Sequence, residues 1–289
     1  MHLVDHHVYL DSESFELSEF CNLARVSGIS EMIFSPPFTE SGEPQKSKVA
    51  YWIQNQLLSS VFTIWIARTI SLSFYSKEGK LRKFWKVLAG NRDFVVQKYP
   101  NNEFLLKRLQ DFPTTKMWFW LSPDTSADEL DSYSKNEKVF GFQIHFQVHE
   151  WSTPNLINLL DKISTTSKRK VYIIGSFNSR RKIEEILSRY SRIKFILGYG
   201  GFPYFSWAIM MKNTNENLWL DTASLHIGRA KFRDLVSGSH KRILFATDGP
   251  YNFIQNGNFS WKLFMERSNL TPIELTKNLY QAQMEYHET

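Results

Sequence analysis

The stretch VDHHVYL, residues 4–10, sets an aspartate and two histidines inside a β-branched, apolar run. Burying an imidazole or a carboxylate is costly unless it is paired, so such a strand serves a reactive site or a buried hydrogen-bond network. Similar polar groups end other apolar runs. Gln143 and His145 lie in VFGFQIHF, Tyr199 in KFILGYGG, Asp221 in NLWLDTAS and Asp248 in RILFATDGP. The chemistry open to this set is limited. A carboxylate beside an imidazole takes or orients a proton, phenol hydroxyls polarise a carbonyl, and histidine with aspartate ligates a divalent metal.

The elements that must position these groups follow from periodicity. Eight β-rich runs recur: 1–10, 31–38, 116–123, 139–146, 170–177, 194–201, 217–224 and 242–250. Several are continuously apolar, as strands covered on both faces are. Between them lie helical patterns. Residues 14–28 end at Gly28, the 153–164 segment opens with Thr153 as N-cap before Pro154, and 180–191 carries Ile183, Ile186, Leu187 and Tyr190 on one face. A further Thr-Pro pair at 271–272 opens a terminal helix. Strand–helix alternation of this kind predicts a (β/α)8 barrel of the TIM type, whose reactive groups sit at the C-terminal ends of its strands. Period two puts Asp5, His7 and Tyr9 on one face of the first strand and His6 on the other. No glycine-rich phosphate loop follows any strand, so no nucleotide is expected and no cofactor is called for.

One interval breaks the rhythm. About eighty residues separate strands two and three, far more than a crossover needs. We read residues 1–289 as a single barrel domain with a long helical insertion at about 39–115. The 49–72 helix within it is a candidate contact for a protein partner or a second copy, with Trp52 and Trp65 as aromatic anchors.

Of the 289 residues, 42% are hydrophobic and 15% aromatic, enough for a large core. A single cysteine, Cys21, excludes an internal disulfide and a cysteine-based zinc cluster. The apolar stretch at 57–67 is interrupted by polar residues and closed by Arg68, too short to span a bilayer. No cationic segment followed by an apolar one opens the chain, which predicts a cytoplasmic protein. The net charge of +6 is carried partly in short runs at 77–86, 168–170 and 180–182. These read as solvated helix faces, without the motif a nucleic-acid module would add.

In order and spacing, VDHHVYL, GFQIH, KFILGYGG, NLWLDTAS and RILFATDGP resemble segments of the amidohydrolase-related superfamily, in the branch of small decarboxylases and lactonases. The resemblance spans Val4 to about Met284. It implies a barrel with a divalent metal held by strand-one histidines, a strand-five histidine and a strand-eight aspartate, assisted by a strand-six histidine. By position, His7 matches the first histidine and Asp248 the aspartate. Tyr9 stands where the second histidine belongs, Ile174 falls at the strand-five ligand and Tyr199 replaces the strand-six histidine. His145 keeps the strand-four histidine, with Gln143 in place of the usual lysine.

Two of the expected ligands remain, where a catalytic zinc needs about three. The site therefore reads as metal-free, and a rearranged set of His7, His145 and Asp248 is the only route to a metal. What the resemblance then implies is a metal-independent hydrolase or lyase acting on a small lactone, amide or keto acid. Asp248 would be its base, His7 and His145 proton-transfer or orienting groups, and Tyr9 and Tyr199 carbonyl donors. Gln143, Arg180, Arg181, His226 and Arg229 are the candidate substrate contacts. The alternative is a pseudoenzyme that binds a ligand or a partner through the same pocket. Asp221 reads as a structural carboxylate and His149 as a surface residue.

Overall fold

A computed structural model of the chain describes residues 3–10, 17–26, 28–36, 100–146, 148–175, 179–202, 204–223, 235, 242–249, 254–255, 258–259, 283–284 and 286–287. Eight strands run in chain order around one sheet: β1 Leu3–Tyr9, β2 Ile29–Ser35, β3 Thr115–Trp120, β4 Val139–His145, β5 Lys170–Ile174, β6 Lys194–Leu197, β7 Leu218–Asp221 and β8 Ile243–Leu244. Every neighbouring pair is parallel. The ring returns on itself where residues 245–249 meet β1. There His6 N donates to Phe245 O at 2.9 Å, Asp248 N to His7 O at 2.9 Å and Tyr9 N to Gly249 O at 2.8 Å. The expected barrel is the observed one. A small antiparallel pair, β9 Ile254–Gln255 and β10 Asn258–Phe259, lies apart from the sheet.

The helices follow as an outer layer: α1 Leu17–Val26, α2 Asn102–Leu109, α3 Ala127–Ser134, α4 Thr153–Thr165, α5 Arg180–Arg189 and α6 Phe205–Thr214. Gly28 ends the first turn beyond α1 with φ +89°, a conformation that only glycine adopts without strain. The cap of α4 is one residue earlier than expected: the Ser152 hydroxyl accepts from Asn155 N at 3.3 Å, and Thr153 is the first helical residue. In α5 the expected face of Ile183, Ile186 and Leu187 is buried, with Tyr190 at its end. Asn102 at the start of α2 is tied to β3: its amide accepts from Trp120 N at 2.8 Å and donates to Trp120 O at 2.9 Å.

Contacts divide the chain into two units. One comprises Met1–Leu10, Glu16–Pro36 and Asn102–Thr289, and holds the barrel. The other comprises Asp11–Phe15 and Pro37–Asn101. The 49–72 segment with Trp52 and Trp65, and most of the second unit, lie outside the described residues. Among the described residues no helix is long and apolar enough to cross a membrane.

Two of the three irregularities in the ladder decide which side chains face inward. On β1, Asp5 pairs with Met32 and Val8 with Phe34, so three steps on β1 answer two on β2. This bulge overturns the simple period-two reading. The rings of His6 and His7 both reach the barrel core, His6 against Phe140 and Tyr286, and His7 against Tyr172. Asp5 turns sideways, its carboxylate accepting from Thr247 N at 3.0 Å and from the Thr247 hydroxyl at 2.5 Å. On β4, Met117 pairs with Val139 and Trp118 with Gly141, leaving Phe140 as the extra residue. The core these bulges serve is aromatic: Trp118, Phe140, Tyr172, Trp219 and Tyr286 pack with Val4, Ile33, Ile174, Ile196 and Leu244.

Candidate active site

At the C-terminal ends of the strands, side chains from β1, β6 and the segment after β8 form a hydrogen-bonded chain. The Tyr9 and Tyr199 hydroxyls are 3.3 Å apart, and Tyr199 donates to Asp248 Oδ1 at 3.3 Å. His7 Nδ1 stands 3.6 Å from the same carboxylate oxygen, near but too long for a hydrogen bond. Neither nitrogen of this fully buried imidazole has a hydrogen-bond partner. Its ring is enclosed by Tyr172, Tyr9 and Tyr199 at 4.6, 4.8 and 5.6 Å between centroids.

Local backbone geometry aims two of these groups. Tyr199 and Asp248 both have positive φ, 57° and 56°, where aspartate is tolerated far better than most residues. Tyr199 sits in the short turn Gly198–Gly201 directly after β6. A Cβ on Gly198 would come within 2.6 Å of the Tyr172 hydroxyl, so glycine there makes room for that ring.

Tyr172 is the functional residue that sequence reasoning missed. It donates to Asp221, which also accepts from Gly200 N and Ala223 N, each at 3.2 Å. The signal was available: Tyr172 lies two residues before Ile174 on β5 and therefore shares its inward face.

Burial sets the protonation states. It pushes His7 down to about 3, so the imidazole near Asp248 is neutral and the two do not form an ion pair. Burial, with a neighbouring Asp248 carboxylate and Tyr9, holds the Tyr199 phenol well above its ordinary value. Tyr172 is raised likewise by burial and Asp221. The Asp221 carboxyl is raised to about 6 by burial, against the pull of its donors. The Asp248 side chain is 18% exposed while His7 is 0% exposed, so the carboxylate is the group a solute can reach.

The other predicted residues are placed as follows. His145 is buried beside this group, its ring stacked on Trp120 at 5.2 Å and 14°, its Nδ1 accepting from Val148 N at 3.3 Å. Burial, then His149 and His7, lower it to about 3. Gln143 is buried and accepts from the Ser35 hydroxyl at 2.6 Å, leaving its Nε2 without a partner. Arg180 is exposed, its guanidinium 4.1 Å over the Tyr204 ring, and Arg181 is exposed at the same helix start. His226 and Arg229 lie outside the described residues. His149 corrects the sequence reading: it is buried edge-on to Trp120 of β3 and Trp151 of its own loop, and the two indoles close over it.

The donor set does not fit the metal that the resemblance implies. Ile174 is apolar core, Tyr9 and Tyr199 are bonded to each other as phenols, and burial opposes their ionisation where it is resolved. Among the described residues, which include His7, His145 and Asp248, no group of three His, Cys, Asp or Glu side chains is arranged to hold a metal ion.

The buried histidines set the acid sensitivity of the fold. His6, His7 and His145 are held near 3, and His149 near 4, all chiefly by burial. The unfolded chain protonates them near 6.5, so below that pH it binds protons the native state refuses, and stability is lost. Asp5 and Asp221, raised by burial to about 7 and 6, act the other way: their contribution is present below about 4 and fades as pH rises through those values. At pH 5 four buried histidines oppose two carboxylates. The urea midpoint is expected to fall from pH 7.5 to pH 5; a midpoint that rises would show that the carboxylates dominate.

A parallel eight-stranded barrel with a polar cluster at its C-terminal rim is thus the class that fold and site define. No protein-family model matches the sequence, and no curated protein matches it. Solved structures do resemble the fold. An apo structure from Agrobacterium tumefaciens is 11% identical, with 97% of this chain and 94% of that chain covered and a TM-score of 0.51. The 2,6-dihydroxybenzoate decarboxylase from Rhizobium is 14% identical over 96% and 94% of the two chains, with a TM-score of 0.49. An uncharacterised TIM-barrel protein from Bordetella bronchiseptica is 10% identical over 99% and 98%, also at 0.49.

Proposed function

We propose that this barrel is a divergent amidohydrolase-like enzyme, a metal-independent hydrolase or lyase acting on a small carbonyl compound such as a lactone, amide or keto acid. The observation that carries the reading is the contiguous chain Tyr9–Tyr199–Asp248 with a neutral His7 beside it. Asp248 is the general base. It is partly exposed, as Tyr199 is, and its carboxylate takes a proton from a water or from the substrate. Tyr199, bonded to Asp248 at rest, turns its hydroxyl to the carbonyl oxygen as charge develops there, and Tyr9 backs it through the phenol–phenol bond. His7 packs beside Asp248 rather than carrying a proton, because burial keeps it neutral at physiological pH. Tyr172 and Asp221 hold the turn bearing Tyr199. Gln143, His145, Arg180, Arg181, His226 and Arg229 remain candidate contacts for the rest of the substrate.

A panel of lactones, amides and β-keto acids, followed by chromatography, tests the reading. On any substrate that turns over, Tyr199→Phe is expected to lower kcat by about 10²-fold, the loss typical of one oxyanion donor. A variant with unchanged kcat would remove Tyr199 from the chemistry.

A second reading, a pseudoenzyme that binds a ligand or partner, is favoured by one observation: His7 and His145 are both buried, His145 under the Trp120 ring. A parent protein that converts nothing on the panel yet binds one of its members would support it.

A further inference from the structure

The opposite rim, where the strands begin, carries a charge pattern that stability does not explain. Lys170 opens β5 and Lys194 opens β6, and the two are register partners. Like charges set directly opposite on adjacent strands, roughly 4.8 Å apart, repel. Lys116, near the start of β3, joins them. The Lys116 and Lys170 ammonium groups stand 5.7 and 4.4 Å from the Phe140 ring centre, and those of Lys170 and Lys194 stand 5.7 and 5.2 Å from that of Tyr286. Three cations from three strands therefore share two aromatic rings as a floor.

The surroundings carry charge of both signs. Lys168 acts on Lys170, and His287 feels Lys170, Lys116 and Lys194. Among the described residues, the carboxylates near this group are Glu31, 3.1 Å from Lys116, and Glu137, which faces Lys168. Burial and the neighbouring ammonium groups hold Lys170 down to about 8. The 168–170 run is thus not a solvated helix face: Lys170 is a half-buried strand residue. Cation–π contacts, the Lys116–Glu31 pair and the hydrogen bond that Lys194 Nζ donates to Tyr286 O at 2.8 Å compensate part of this cost, but they leave Lys170 half-buried beside two like charges.

We propose that the N-terminal mouth of the barrel is an anion site that takes a phosphate group, held by Lys116, Lys170 and Lys194 over Phe140 and Tyr286. Lysines act here as mobile point charges suited to a phosphate, and the bound dianion removes the repulsion between them. The site lies at the other end of the strands from Asp248 and does not depend on the function proposed for that cluster.

Titration calorimetry with inorganic phosphate and with phenyl phosphate, in chloride of matched ionic strength, tests this on the full chain. One saturable site is expected, with Kd raised at least tenfold in Lys170→Met and Lys194→Met and unchanged in Lys135→Met, the exposed lysine that caps the C-terminus of α3. Lys116→Met, partly exposed, serves as the second variant if a β5 or β6 change impairs folding. Tighter binding of phenyl phosphate identifies a small phosphomonoester as the ligand; equal or weaker binding identifies free phosphate. In chloride Lys170→Met is expected to melt above the parent, and in saturating phosphate below it. No saturable heat beyond the ionic-strength control, or an equal Kd in the parent and the Lys170 and Lys194 variants, overturns the proposal.

Discussion

Asp248→Asn is expected to lower turnover by about 10²–10⁴-fold on any converted substrate, the range that a positioned general base supplies. The substitution is chosen for its backbone. Asp248 has φ +56°, which asparagine adopts as readily as aspartate, so the turn after β8 persists. The amide oxygen still accepts from the Tyr199 hydroxyl, and the closing bond from residue 248 N to His7 O is untouched. What is lost is the ability to take a proton. The melting temperature should therefore stay near the parental value while conversion of the panel collapses. A variant retaining more than a tenth of the parental rate would exclude Asp248 as the base.

The largest expected effect on stability lies beneath the site, at Trp118. Its indole is fully buried between Phe140, at 5.1 Å and 87°, and Tyr172, at 5.4 Å, and its Nε1 donates to His6 O at 2.7 Å. That bond holds the bulged turn of β1 on which both histidines depend. Trp118→Ala empties the centre of the barrel and is expected to cost about 3–5 kcal/mol. At about 2–4 °C per kcal/mol for a domain of this size, the melting temperature should drop by about 6–20 °C. Trp118→Phe keeps most of the packing and loses the donor, so a smaller loss of about 1–2 kcal/mol is expected. Equal losses in both variants would mean that the hydrogen bond to β1, not the volume, carries the effect. Calorimetric melts of the three proteins decide it.

Much of the architecture was legible in the chain. The continuous apolar runs MWFW, VYII and KFIL can be strands only where both faces are covered, and the helices between them supply that cover. Gly28 as a stop and the buried stripe of α5 follow from local rules of φ and of 3.6-residue periodicity. His7, Tyr9, Tyr199 and Asp248 were visible as one cluster because the C-terminal ends of parallel strands converge in a barrel.

Other features belong to the pairing between elements. A bulge exists only relative to a partner strand, so nothing in VDHHVYL announces that β2 will answer Asp5–Val8 with two steps and turn both histidines inward. The Tyr172–Asp221 bond joins β5 to β7, and the burial of His149 needs the Trp120 indole from β3. The facing of Lys170 and Lys194 is likewise a matter of register, since each reads alone as an ordinary strand-end cation. The amino-acid sequence by itself determined which of the described elements form and which of their ends carry the polar cluster, because propensity, capping and periodicity act over a few residues. Only the tertiary structure decided inward facing, protonation and charge opposition, because burial and Coulomb energy depend on neighbours that arrive from distant parts of the chain.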